Sequence, residues 1–174
     1  MSSELKEFTV HGPFVVPVEK RKKGRMVSTT DLDAFWTEVG ATRDRKGVYV
    51  FGIRAGKGVT PVYVGKAAKQ SFECEAFTDH KRANHYNPAL LDSGKGTPVM
   101  FFVAHPKTKG AVNKKLIDQL ETFFIDVAYR KNAELSNVRK KPEYKWRVRG
   151  VVRAKPGEGK NGAAGAFRKA VGLV

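Results

Sequence analysis

Two short runs of nearly the same make-up, Gly47-Val48-Tyr49-Val50-Phe51 and Pro61-Val62-Tyr63-Val64-Gly65, flank a glycine-rich stretch. Their β-branched and aromatic residues suit a pleated, half-buried backbone. Residues 52–60 carry the glycines that close a hairpin between them. A hairpin of this kind commits the chain to an antiparallel sheet whose apolar side must be covered by further elements. Those elements follow in order. A helix is predicted from about Ser71 to Tyr86, and the nearly all-apolar run Thr97–Ala104 reads as a third, buried strand. A second helix is predicted from about Asn113 to Lys131, with Asn113 as its N-cap and Leu116, Leu120, Phe123, Phe124 and Val127 as its apolar stripe. The order β-β-α-β-α predicts the α+β class: a small three-stranded antiparallel sheet flanked by helices, with short N- and C-terminal extensions.

The main domain spans residues 46–140 on this reading. Before it, residues 1–45 form an extension packed on the main domain. Two β-like runs, Phe8–Val10 and Phe14–Val18, are separated by Gly12-Pro13, and the basic segment Lys20–Arg25 reads as a loop. Ser28-Thr29-Thr30 offers an N-cap for a short helix through Leu32, Phe35 and Trp36. After it, residues 141–174 form a basic extension. Trp146–Arg153 alternates like a strand, Lys155–Gly165 is rich in Gly and Lys, and Ala166–Val174 suits a final short helix.

Charge supplies the first indication of a partner. The chain has 33 Lys and Arg against 17 Asp and Glu, a formal net charge of +16, with +9 of it in residues 138–174. Such a field favours polyanions through counterion release from phosphates, so nucleic acid is the expected partner. No apolar run approaches the 18 residues of a membrane span, and the first 25 residues lack a basic segment followed by an apolar one. A cytoplasmic protein with no membrane partner is expected. The lone Cys74 leaves no internal disulfide, no expected disulfide-linked partner and no thiolate zinc site.

Gly47-Val48-Tyr49 and Tyr63-Val64-Gly65, with 14 residues from tyrosine to tyrosine, resemble the paired strands of GIY-YIG nucleases. Lys66-Ala67 resembles the repair-incision branch of that family. The third strand, a long helix bearing Glu121 and then Asn137 match the family's remaining order, so the resemblance covers roughly residues 45–140. It implies hydrolysis of DNA phosphodiester bonds with one divalent ion, Mg²⁺ or Mn²⁺, held by Glu121. Tyr49 and Tyr63 would serve in proton transfer and positioning, and Asn137 would act near the site or brace its loop. The residues by themselves also allow plainer readings: half-buried strand tyrosines, an exposed helix glutamate and a turn asparagine, with Asn132 a rival to Asn137. Lys66, Lys69, Lys81, Arg147, Arg149 and Arg153 are the expected nucleic-acid contacts.

The resemblance fails at one position. An arginine is expected about ten residues past the second tyrosine, where this chain has Glu73. If Ser71–Tyr86 is one helix, His80 shares a face with Glu73, about 20° away, Lys81 lies about 80° away and Arg82 is opposite. His80 then becomes the candidate to contact phosphate or take a proton. Lys66 and Lys69 are other sources of positive charge, an inserted turn would bring in Lys81, and Glu73 with Glu121 could form a two-carboxylate metal site. The alternative function is a catalytically impaired nucleic-acid-binding module on the same fold.

Overall fold

The computed structural model describes residues 6–137, together with Val148, Val151, Gly157 and Gly162–Ala170. Met1–Lys140 and Lys141–Val174 are two separate units. In the first, strands β1 (Thr9–Val15), β2 (Val18–Arg21) and β3 (Gly24–Val27) precede helix α1 (Leu32–Val39). The hairpin β4 (Gly47–Ala55) and β5 (Gly58–Ala67) follows, then the short helices α2 (Phe72–Ala76) and α3 (Asp79–Lys81). A π-helical turn, Arg82–Tyr86, leads into α4 (Asn87–Ser93), and β6 (Thr97–Ala104) and α5 (Lys114–Lys131) complete the unit. In the second unit the described helix is α6 (Gly162–Ala170), which begins earlier than the Gly/Lys-rich composition suggests.

The protein is α+β, but its main sheet has four strands, not three, in the order β1-β6-β4-β5 with antiparallel pairing throughout. The fourth strand comes from the N-terminal segment, where Gly12-Pro13 reads in sequence as a break. β1 runs through it, with a register shift between His11 and Phe14. A proline without an N–H is tolerated at a bulge on an edge strand, and β1 is an edge. The basic segment Lys20–Arg25 is likewise not a loop. It forms a two-stranded ribbon, β2–β3, paired from Val18↔Val27 to Arg21↔Gly24.

Apolar residues fill both faces of the sheet. Tyr49, Phe51 and Ile53 of β4 pack with Phe35, Trp36, Phe72, Tyr86 and Phe102 on the side of α1–α4. Val48 of β4 and Val64 of β5 pack with Ile117, Ile125 and Ala128 on the side of α5. This alternation is the period of two that a strand imposes on its side chains. Of the expected stripe on α5, Leu120 and Phe124 pack against this core, but its centre is rotated toward Ile117, Ile125 and Ala128. Phe123 and Val127 are 60% and 42% exposed, whereas Ile117, Ile125 and Ala128 are buried. At 100° per residue Glu121 falls about 40° from Ile117 and inside the buried arc, not on its border.

The two motif glycines have steric reasons. A Cβ on Gly65 would lie 2.4 Å from Cζ and the hydroxyl of Tyr49, its register partner, so the phenol lies across the space a side chain would fill. A Cβ on Gly47 would lie 2.0 Å from the Val103 carbonyl oxygen. Gly65→Ala is therefore expected to destabilise the fold by about 1–3 kcal/mol through overpacking. Chemical denaturation reads this directly, and an unchanged midpoint would contradict the packing.

Candidate functional site

Tyr63 is placed by an irregularity in the hairpin. Phe51 pairs with Tyr63 but Gly52 pairs with Pro61, so Val62 is an extra residue on β5. Bulges of this kind re-aim the neighbouring side chain. Tyr63 lands diagonally from Tyr49 on the same face of the sheet, with ring centroids 6.4 Å apart. The other side of Tyr63 is stacked on His85 at 4.2 Å and 22°. Tyr49 is fully buried, and its hydroxyl meets no hydrogen-bond geometry among the described residues. The nearby Tyr86 hydroxyl already donates to the Ala76 carbonyl at 2.7 Å.

The helical segment after the hairpin departs most from expectation. It is not one helix. It breaks at Phe77-Thr78 and widens into the π turn before α4. Pro88, in the first turn of α4, has no N–H to give the carbonyl four residues back and crowds it, which a wider turn relieves. The assumed register of Glu73 and His80 therefore does not exist. Glu73 turns to Arg43, 3.5 Å away, and does not join Glu121 in a carboxylate pair. His80 is exposed, with its ring 5.8 Å from that of His85. Lys81 takes the interior position: its ammonium is 5.4 Å from the Tyr49 ring centroid and 3.0 Å from Glu75 Oε2. Arg82 turns away, pairing with Asp79.

Helix α5 packs across the face of β5, the edge strand, and onto β4. Glu121, with its side chain only 12% exposed, accepts from Lys66 Nζ at 3.1 Å, and Lys66 also binds Asp118. A carboxylate on the packed face of a helix requires such a partner, because burial disfavours an isolated charge. Burial works against the Lys66 ammonium, but hydrogen bonds and charge from Asp118 and Glu121 outweigh it and raise its pKa. Tyr63 feels Glu121 too: burial, then Glu121 and Glu75, push its phenol up to about 12. Burial, with the neighbouring Tyr86, Tyr63 and Glu75, holds Tyr49 well above the ordinary tyrosine value. Lys66, Lys69, Lys114 and Lys115 line an adjoining cleft of about 510 Å³, facing Glu75 and Asp118.

Asn137 closes this edge and does not project into the cleft. Its amide donates to the Val64 carbonyl at 2.7 Å and accepts from the Val64 N–H at 2.9 Å. The Ser136 N–H donates to the Val62 carbonyl at 2.7 Å, and Asn132 donates to that of Pro61 at 2.7 Å. Both asparagines are thus engaged as braces on strand β5, and a catalytic role for Asn137 is not supported by its bonding. Ser136 also meets His85 Nδ1 at 2.6 Å.

Four residues of the constellation lie outside the sequence expectation: Glu75, His85, Tyr86 and Ser136. Thr78-Asp79, a helix-start pattern, and Pro88, a start-of-helix residue, are the signals that could have divided the segment. Arg147, Arg149 and Arg153 lie outside the described residues. Among the described residues no helix is long and apolar enough to cross a membrane, and no group of three or more His, Cys, Asp and Glu could hold a metal.

His85 and His105 carry a pH dependence. Burial, then the neighbouring His80 and Lys81, lower the pKa of His85 against an opposing contact from Ser136. Burial, with Arg45, Lys107 and Lys6, lowers that of His105 against a hydrogen bond from Lys107. In the unfolded chain both would titrate near about 6.5. Below that value the unfolded chain binds protons that the folded one refuses, so stability rises with pH across the window. It is fully present above the unfolded value and declines as pH falls toward the folded ones. The urea midpoint should be lower at about pH 5.5 than at about pH 7.5, with a smaller difference in a His85→Gln/His105→Gln variant. A midpoint that rises on acidification would contradict this sign.

Comparison with protein-family models, curated proteins and solved structures finds no match to this chain.

Proposed function

We propose that the protein is a GIY-YIG-type endonuclease that hydrolyses DNA phosphodiester bonds with one Mg²⁺ or Mn²⁺ ion at Glu121. The observation that carries this reading is the adjacency of Tyr49 and Tyr63, with Lys81 and His85 against their rings and Glu75 and Glu121 close enough to raise the Tyr63 pKa; Glu75 and Lys66 also line the lysine-rich cleft. Glu121 would suit a hard dication that keeps most of its water and takes only one or two carboxylates. Such an ion would offset the charge developing on phosphate and acidify a bound water.

The chain's own groups divide the remaining work. Lys66 pairs with Glu121 and Asp118, and would be free to contact a phosphate oxygen if Glu121 held a cation. Tyr63 keeps its proton through the neutral range, so it orients the attacking water as a hydrogen-bonding phenol and relays a proton to or from the reacting oxygens. His85, neutral in the same range, packs the Tyr63 ring in place. Lys81 supplies the positive charge that the family pattern assigns to an arginine, although as a point charge without the planar fork. Tyr49 supports Tyr63 from within the core.

The test is incubation of the full chain with plain and branched DNA and with Mg²⁺ or Mn²⁺. Internal cleavage is expected. No cleavage of any substrate by folded protein would overturn the nuclease reading. Two features favour the alternative of a non-catalytic nucleic-acid-binding module: Lys66 already occupies Glu121, and Glu73 stands where an arginine is expected. Binding that weakens steeply with salt, without turnover, would select it.

A further inference from the structure

The ribbon β2–β3 carries the densest run of positive charge in the first unit, Lys20-Arg21-Lys22-Lys23 followed by Arg25. Lys22 and Lys23 form its two-residue tip and are exposed, and no acid is paired with either among the described residues. Its base is anchored. Arg25 donates to the Gly96 carbonyl at 2.6 Å, and Asn87 accepts from the Val27 N–H at 2.9 Å. Between ribbon and π turn lies a groove of about 560 Å³ lined by Arg21, Lys22, Lys23 and Arg82, with Glu19 and Asn87. Glu19 neutralises Arg21 and Asp79 neutralises Arg82. The two tip lysines therefore leave the groove with net positive charge.

This groove shares a backbone segment with the tyrosine site. Lys81, His85 and Tyr86 face the tyrosines, while Arg82 and Asn87, in the same two turns, face the ribbon. The two surfaces are thus separated by about one helix diameter, 10–12 Å, or about three nucleotide steps at 3.4 Å each. We propose that the β2–β3 ribbon and its groove form a second nucleic-acid contact, gripping the phosphodiester backbone a few nucleotides from the bond held at the tyrosine cleft. The inference rests on the nuclease or nucleic-acid-binding reading for its ligand, but not on turnover. Concavity and its position beside the cleft favour a nucleic-acid backbone over a flat anionic membrane, which would require an apolar stripe beside the lysines.

The experiment compares the full wild-type chain with Lys22→Ala/Lys23→Ala on a labelled DNA duplex, in EDTA, across a salt series from about 50 to 200 mM. Loss of two phosphate contacts should make the slope of log affinity against log salt shallower by about 1.8. The wild type's advantage should then shrink about tenfold over that range. Lys22→Arg/Lys23→Arg should retain the wild-type slope, which separates charge from folding. A matching RNA duplex identifies which form of the backbone the groove takes. Equal slopes for wild type and the alanine variant, absence of duplex binding, or a loss confined to phosphatidylserine vesicles would each overturn the proposal. Duplex binding with the expected slope change in EDTA, but no cleavage once Mg²⁺ or Mn²⁺ is supplied, sinks the nuclease reading and leaves the groove intact. Cleavage with equal slopes does the reverse.

Discussion

Glu121→Gln should remove most of the DNA cleavage while leaving the protein folded. Glutamine keeps an oxygen to accept from Lys66, whose ammonium also remains bound to Asp118, so the α5–β5 contact persists. The negative charge needed to hold a dication is lost. Metal stabilisation of a developing phosphorane charge is worth several kcal/mol, which corresponds to a rate loss of at least about 10²–10³-fold. Binding of uncleaved duplex should hold or strengthen, because the site loses one negative charge. Single-turnover rates and equilibrium binding measured on the same preparation separate the two effects. A cleavage rate within about threefold of wild type would remove Glu121 from the chemistry, since even a modest electrostatic role exceeds that factor.

Asn137→Ala should produce the largest stability loss of the substitutions considered. Asparagine offers a donor and an acceptor in one planar group, and here both meet the main chain of a fully buried Val64 on the outermost strand. Alanine leaves a buried N–H and a buried C=O without those partners. Each orphaned group costs about 1–3 kcal/mol, so a loss of about 2–6 kcal/mol is expected. The damage should spread along residues 132–137, because Asn132 and Ser136 hold the same edge at Pro61 and Val62. A denaturation midpoint corresponding to less than about 1 kcal/mol would show that solvent or another group replaces the brace easily.

What the sequence made legible follows from how local its signals are. The hairpin, the apolar run of β6 and the Asn113 cap are encoded by neighbouring residues, and the structure has β4, β5, β6 and α5 where composition and period put them. β1 was hidden because its meaning depends on position in the sheet: Gly12-Pro13 breaks a central strand but is accommodated at an edge. The ribbon was hidden because Lys and Arg are poor strand signals, and its pairing is held by anchors at Asn87 and Gly96 distant in sequence. The α5 stripe is legible only in part, at Leu120 and Phe124, because Leu116 and Phe123 are as apolar as Ile117 and Ile125. Only packing against β5 decides which set is buried, and that choice carries Glu121 inward.

The site was legible in its strand half and not in its helical half. Tyr49, Tyr63 and Gly65 follow from strand alternation. Lys81 and His85 depend on a broken helix and a π turn, where one unaccounted residue rotates every later side chain by about 100°. The break at Phe77-Thr78 set His80 at the surface and placed Lys81 over Tyr49, while Glu73, ahead of the break, turns to Arg43.

The most direct measurement is single-turnover cleavage of one DNA duplex by wild type and Tyr63→Phe, at saturating protein and equal Mg²⁺. Phenylalanine preserves the stacking on His85 and removes only the hydroxyl proposed to orient the attacking water. The expected result is cleavage by wild type, slowed by about 10²–10⁴-fold in the variant, with equal thermal stability and duplex affinity. Equal cleavage rates in the two proteins would contradict a phosphodiester-cutting centre at the tyrosine pair.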